Sequence, residues 1–364
     1  MLKIVNLVGA RPQFIKSAGI SRVIQRDPDI EEIYVHSGQH YDEEMSEQFF
    51  KELALPNPHH HLNGGNFSGQ EQIEYLTTKF SILLEEIAPD ALIVYGDTNT
   101  TLSGALAASH CGIPIAHVEA GLRSYNRSMP EEYNRVKTDR LAKWLFCPTP
   151  TSVMNLKKEG LLHTAWRKVI MCGDVQFDNI KHFGRQIDHA FVKKLTGSGK
   201  FALLTIHRNF NTDQMDRLIP LLSNIRQLCK EYRMRALMPT HPRLMHVIEE
   251  QKEVADLVNT SEFIVVPPVS YGEVISLMHD SECVMTDSGG LTKEASLLGK
   301  KVLVLRTETE WTEWVDAGCA FVVDTELDEM RSAMDPARPP GNIPDEFQKP
   351  AAPVVVEAIK SDLL

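Results

Sequence analysis

The chain has 364 residues, 43% hydrophobic and 24% charged, with 38 lysines and arginines against 49 aspartates and glutamates, for a formal charge of −11. That length predicts two domains, each large enough for its own core, and the composition excludes wholesale disorder, collagen-like repeats and long coiled coil. The negative charge argues against a nucleic-acid or anionic-membrane surface, but not against one small anionic ligand held in a basic pocket.

Short β-rich apolar runs alternate with longer helical stretches. The first set of runs covers residues 3–8, 33–36, 91–95, 115–118, 144–147 and 168–172, several ending in Gly, Asp or Pro. This is the pattern of a parallel sheet with crossover helices. The junction Val8-Gly9-Ala10-Arg11-Pro12-Gln13-Phe14-Ile15-Lys16 opens the first helix, and its free N–H groups with Arg11 and Lys16 suit a phosphate or carboxylate. The alternative is a surface Arg and a solvated Lys. At Tyr95-Gly96-Asp97-Thr98-Asn99-Thr100-Thr101, Asp97 follows a buried strand; it is either a cleft-facing carboxylate or the N-cap of the next helix. The densest segment runs His117-Val118-Glu119-Ala120-Gly121-Leu122-Arg123-Ser124, then Asn126-Arg127, then Pro130-Glu131-Glu132-Tyr133-Asn134-Arg135. Glu131 and Glu132 can be helix-start acids favoured by the dipole. Carboxylates converging on Asp97 from Glu119 and Glu131 would be costly without a function.

A second set of runs covers residues 201–206, 235–238, 263–266, 283–285, 302–305 and 321–323. Two such sets predict an α/β protein of two Rossmann-like doubly wound domains, residues 1–172 with the tail 350–364 and residues 173–345, facing a central cleft at their strand ends. His207 and Arg208 end the first strand of the second set, and His241 repeats the theme more weakly after the second. Asp287-Ser288-Gly289-Gly290 joins a strand to a helix carrying Glu294, which makes a seat for a diphosphate and ribose. Tyr271, at a helix start, either stacks on a base or fills core. Residues 335–353 carry six prolines and read as a connector to a helical tail; that the tail packs back on the first domain is an expectation of the fold, which no periodicity in the tail itself shows.

The six cysteines, Cys111, Cys147, Cys172, Cys229, Cys283 and Cys319, form no C-x-x-C pair and read as reduced cytosolic thiols. The apolar start meets Gly9 and Arg11 too early for a signal peptide and no run of about 18 apolar residues occurs, so a cytoplasmic protein off the membrane is expected. His59-His60-His61 is read as a solvated loop and not a metal site, because adjacent histidines point different ways and no carboxylate is near. No metal and no cofactor are expected.

Seven motifs, G-A-R-P-Q-F-I-K, S-G-Q-H-Y-D, G-D-T, H-V-E-A-G-L-R, P-E-E-x-N-R, H-R and T-D-S-G-G, resemble in order and spacing the non-hydrolysing UDP-N-acetylglucosamine 2-epimerases. The resemblance implies a glycosyltransferase-B-like fold, a homodimer, and interconversion of UDP-GlcNAc and UDP-ManNAc for surface polysaccharide synthesis. It places the acidic active-site positions on Asp97, Glu119 and Glu131, the active-site histidine on His207, and nucleotide contacts on Arg11, His241, Ser288, Gly289, Gly290 and Glu294. Lys16, Arg123, Arg135, Arg208 and Tyr271 join these as candidate substrate contacts, and Gln39 with His40 marks a possible second-sugar site. There Tyr41 to Met45 replace the family's Arg-containing stretch, which puts activation by substrate in doubt. Gln13 for the usual Glu, and Thr309-Glu310-Trp311, resemble branches acting on modified sugars, including 2,3-diacetamido uronic acids.

Carbon 2 of a GlcNAc ring has no adjacent carbonyl to acidify its proton. No G-x-G-x-x-G follows a strand, which disfavours transient oxidation by a nicotinamide. Anti elimination of UDP to a 2-acetamidoglucal, followed by re-addition, needs carboxylates around the ring and cations at the departing diphosphate. Rival expectations are a glycosyltransferase, a hydrolysing epimerase and a non-catalytic nucleotide-sugar sensor.

Overall fold

The computed structural model describes residues 1–39, 50–126, 129–309 and 311–364. His40, Tyr41 to Met45, Arg127 and Glu310 therefore lie outside the described residues. The chain divides into one unit of residues 1–179 with 345–364 and a second of residues 180–344.

In the first unit the strands are β1 (Leu2–Val8), β2 (Ile30–His36), β3 (His60–His61), β4 (Ala91–Tyr95), β5 (Ile115–Val118), β6 (Trp144–Cys147) and β7 (Lys168–Met171). They form one parallel sheet in the order β3-β2-β1-β4-β5-β6-β7. Central strands such as Ala-Leu-Ile-Val-Tyr in β4 are buried at every position, as a sheet covered on both faces requires. The core packs β1, β4, β5 and β6 against Leu76, Phe80 and Leu84 of the helix Gly69–Ile87 and the small residues Ala105, Ala107 and Ala108 of the helix Asn99–His110. Gly104 lets that second helix approach closely, since a Cβ there would lie 2.4 Å from Leu7 and 3.1 Å from Val94.

The run His59 to His61 differs from the solvated loop expected. His60 and His61 pair with Val35 and His36 as a short edge strand, and His59 Nδ1 accepts from the Tyr34 N–H at 2.9 Å. The tail does pack back: the helix Ala352–Leu363 lies on the helix Arg11–Ile24 and buries Ala352, Val355, Val356 and Ile359. Its start is capped by Asp178, whose carboxylate accepts the Ala351 and Ala352 N–H groups at 2.9 and 3.1 Å.

The second unit holds β8 (Phe201–Thr205), β9 (Arg235–Pro239), β10 (Phe263–Val266), β11 (Val284–Thr286), β12 (Val302–Val304) and β13 (Ala320–Val322), again all parallel, in the order β10-β9-β8-β11-β12-β13. Leu218, Leu221, Leu222, Ile225 and Leu228 of the helix Met215–Tyr232 recur at helical spacing and cover one face. All six cysteines are free, and among the described residues no helix is long and apolar enough to cross a membrane.

Strand order reverses between β1 and β4 in the first sheet and between β8 and β11 in the second. Ligands of doubly wound sheets bind outside the carboxyl ends of the strands at such switch points. The loops there carry Gly9 to Arg11, Gly96 to Thr98, His207 with Arg208, and Asp287 to Gly290.

Candidate active site

At the first switch point Gln13 ties the two loops together. Its Oε1 accepts from the Gly9 and Ala10 N–H groups (2.8 and 3.2 Å), and its amide faces the Tyr95 carbonyl (3.1 Å) and the hydroxyls of Thr98 and Thr101 (3.0 Å each). An ionised glutamate could supply the first two bonds but would meet the Tyr95 carbonyl with no proton to donate. Gln39 extends the network, its Oε1 accepting from the Thr100 N–H and hydroxyl at 3.1 and 2.7 Å. Arg11 is exposed on the first turn of its helix.

Asp97 is not the N-cap. Thr98 caps the helix Asn99–His110, its hydroxyl accepting from the Thr101 N–H at 3.3 Å, which leaves the Asp97 carboxylate for other use. β4 and β5 end flush, with Tyr95 beside Val118, so Asp97 and Glu119 leave adjacent strands at the same level. Each has a cation: Arg135 pairs with Asp97, and Lys16 Nζ lies 2.7 Å from Glu119. Burial favours loss of the Arg135 proton, but the charges of Asp97, Glu132 and Glu119 outweigh it and hold the guanidinium above its ordinary value. Glu119 also has a φ of 71°, a left-handed conformation rare for a side chain of its size and a mark of constrained functional positions.

The two glutamates that start the helix Pro130–Leu141 differ. Glu132 is buried and accepts from Ser124 N–H and Oγ and from Tyr125 N–H at 2.9 to 3.1 Å, with Arg135 at 3.2 Å. Glu131 is exposed, and among the described residues no side-chain bond joins it to Asp97 or Glu119. Arg123, expected as a substrate contact, has another use. Its side chain is 1% exposed and bridges Glu159 (2.6 Å) and Asp139 (2.8 Å), so the guanidinium is spent inside the first unit.

Sequence reading passed over the partners of that bridge. Asp139 Oδ1 lies 2.6 Å from His117 Nδ1, and the other ring nitrogen of His117 lies 2.7 Å from the Gly96 carbonyl. Asn134 donates to the Asp97 carbonyl at 2.9 Å. Burial raises the Asp139 carboxyl, but the charges and hydrogen bonds of His117 and Arg123 prevail and hold it below the usual carboxylate range.

In the second unit Asp287 is the organiser. It is fully buried, and its carboxylate faces the His207 ring (3.1 Å) and accepts the backbone N–H groups of His207 and Arg208 and the Asn211 amide at 3.0 to 3.2 Å. Burial raises this carboxyl too, and the facing donors bring it below its ordinary value. A carboxylate at Nδ1 fixes the imidazole's orientation and leaves Nε2 as the working nitrogen. Ser288 caps the helix Gly289–Leu297, which puts the side-chain-free Gly289 and Gly290 at its positive end. The His241 ring sits 6.3 Å from that of His207 and caps the helix Pro242–Glu250. Tyr271 is buried, as the core alternative had it, but its hydroxyl donates to Glu294 at 2.9 Å and orients that buried carboxylate.

One group among the described residues has metal-ligand spacing: His189, His279 and Asp280, with ligand atoms within 4.8 Å. Both imidazoles already bond the Asp280 carboxylate at 2.8 Å. Asp280 ends the helix that leads into the amino end of β11, whereas His207 follows the carboxyl end of the neighbouring parallel strand β8, so the group lies at the opposite end of the strands.

Two doubly wound parallel sheets with charged loops at both switch points define a glycosyltransferase-B-like α/β protein. A family model described as UDP-N-acetylglucosamine 2-epimerase matches residues 22–352. A Pseudomonas aeruginosa UDP-2,3-diacetamido-2,3-dideoxy-D-glucuronate 2-epimerase is 41% identical over 90% of this chain and 90% of its own. A Methanococcus maripaludis UDP-N-acetylglucosamine 2-epimerase is 36% identical over 92% and 91%. The crystal structure of the Methanocaldococcus jannaschii UDP-GlcNAc 2-epimerase with UDP-GlcNAc and UDP superposes with a TM-score of 0.83 at 32% identity, covering 99% of this chain and 100% of that one. The chain belongs to the UDP-N-acetylglucosamine 2-epimerase family, whose members are isomerases.

Proposed function

We propose that this protein epimerises C2 of a UDP-N-acetylhexosamine, converting UDP-GlcNAc to UDP-ManNAc, by elimination and re-addition of UDP. The observation that carries the reading is the pair Asp97 and Glu119, two carboxylates on loops leaving flush neighbouring strands, each with its own cation. A carboxylate takes the C2 proton while the C1–O bond breaks with its electron pair going to UDP, and the C1=C2 double bond of the glucal forms. UDP then re-adds at C1 as a proton is delivered to the other face of C2. Asp97, Glu119 and Glu131 share the acid and base roles. His207, Arg208, Arg11 and the helix start at Ser288 to Gly290 receive the charge of the departing diphosphate. Tyr271 and Glu294 serve the nucleoside end. A homodimer, which rests on the resemblance, and a cytoplasmic location, which rests on the scattered cysteines and the absence of a long apolar run in the sequence, belong to the same reading.

A second substrate has support. The Pseudomonas relative is named for a 2,3-diacetamido glucuronate, and Gln13 departs from the usual Glu within the network that joins the two switch-point loops. Incubation with each UDP-sugar in D2O, followed by proton NMR, tests both. Deuterium at C2 in a stable mixture of the two epimers supports the proposal and names the sugar. Free sugar with UDP indicates hydrolysis, and no exchange with either sugar overturns the reading.

A further inference from the structure

We propose that His117 is a positioning residue for Asp97, acting through the Gly96 peptide and held to that task by Asp139. The inference rests on the function proposed above and concerns a residue that does not itself reach the sugar, since it is fully buried in β5.

The Gly96 carbonyl has no proton to give, so His117 Nε2 donates to it at 2.7 Å. At the other nitrogen stands a carboxylate at 2.6 Å, held ionised by Arg123 on its second oxygen. Both ring nitrogens are thus engaged, and the ring is a rigid strut between the β4 loop and the helix Pro130–Leu141. Gly96 has a φ of 63°, so its peptide takes a direction that the strand alone does not dictate. The next carbonyl, that of Asp97, is taken by Asn134 of the same helix at 2.9 Å. Both carbonyls that bracket Asp97 are thus pinned by side chains from neighbouring elements. Asp139 also accepts the Gly121 N–H at 3.2 Å, two residues beyond Glu119. One buried pair therefore ties both carboxylate-bearing loops to the helix that supplies Arg135. A misplacement of about 1 Å in a reacting group costs about 100-fold in rate, so the strut has kinetic weight beyond its share in the fold.

Two substitutions separate positioning from stability. The amide of a glutamine reaches about as far as Nε2, whereas that of an asparagine reaches about as far as Nδ1. His117→Gln keeps a donor for Gly96 and gives up Asp139; His117→Asn does the reverse. Turnover, KM and the thermal midpoint are measured for both beside the wild type, with C2 deuterium exchange as the rate. The expected result is a fall in kcat of about 100-fold for His117→Asn with KM within about threefold, and a fall of less than about tenfold for His117→Gln, at similar midpoints for the two variants. Equal kcat losses that track the midpoint, or no loss in His117→Asn, overturn the role of His117 while leaving the function standing. A wild type inert toward both UDP-sugars overturns the proposed function and this role with it.

Discussion

Arg123→Met tests whether the buried arginine four residues after Glu119 is a substrate contact or a strut. Methionine keeps most of the side-chain volume and removes the charge, so the change falls on electrostatics and hydrogen bonding. The guanidinium bonds Glu159 through Nε and Nη2 at 2.6 and 3.0 Å, Asp139 at 2.8 Å and the Leu122 carbonyl at 2.7 Å. Removing one partner of a buried ion pair costs about 3–5 kcal/mol because the other charge is left uncompensated. Here the lower end applies: Asp139 keeps His117 and the Gly121 N–H, and Glu159 can turn to water, being 22% exposed. At about 2–4 °C per kcal/mol for a unit of 150–250 residues, a cost of about 3 kcal/mol lowers the melting temperature of the first unit by roughly 6–12 °C. Thermal and urea unfolding followed by circular dichroism read that shift, and steady-state kinetics well below the transition read KM. The strut predicts the loss of stability with KM within about threefold. A KM raised more than about tenfold at an unchanged melting temperature would refute it and return Arg123 to the substrate.

The low-titrating Asp139 carboxyl stabilises the fold at any pH above the unfolded value of about 3.9, and that stability is lost as pH falls through the lower folded value. Asp139→Asn should therefore lower the urea midpoint at about pH 7 and flatten its decline below about pH 4; parallel curves for variant and wild type would contradict this. Tyr271→Phe removes the hydroxyl that bonds Glu294, a charged hydrogen bond of about 1.5–3 kcal/mol, so UDP should bind about 10- to 100-fold more weakly by calorimetry. An unchanged Kd would show that Glu294 does not meet the nucleotide. Ile359→Ala should cost the first unit about 2–5 kcal/mol, read in urea unfolding, because the side chain is fully buried in the tail helix. A loss below about 0.5 kcal/mol would mean that the tail is dispensable for stability.

The strands were legible because buried parallel strands are continuous apolar runs, several closed by Gly, Asp or Pro, as Ala91 to Tyr95 before Gly96 and Trp144 to Cys147 before Pro148 show. β3 was not, since His60 and His61 are exposed and take their conformation from pairing with β2 rather than from their own pattern. The tail was readable as a helix, but its docking depends on Val355, Val356 and Ile359 meeting a helix more than 300 residues earlier, which no local period records. Of the site, the carboxylate-bearing loops were visible as strand-end motifs, and Thr98 rather than Asp97 proved to be the cap. The buried polar partners were hidden. Asp139 lies 22 residues from His117 and Asp287 lies 80 from His207, and each gains meaning only when the sheet brings its loops together. For the same reason Arg123, a cation beside a suspected active site, read as a ligand contact until Asp139 and Glu159 were found on either side of it.

The proposed proton transfer at C2 rests chiefly on Asp97 and Glu119. Its most direct measurement is the initial rate of C2 deuterium exchange in D2O for the wild type, Asp97→Asn and Glu119→Gln, with UDP affinity measured in parallel. The account predicts that each amide lowers exchange by at least about 100-fold while the Kd for UDP stays within about threefold. Near-wild-type exchange in both variants would contradict it.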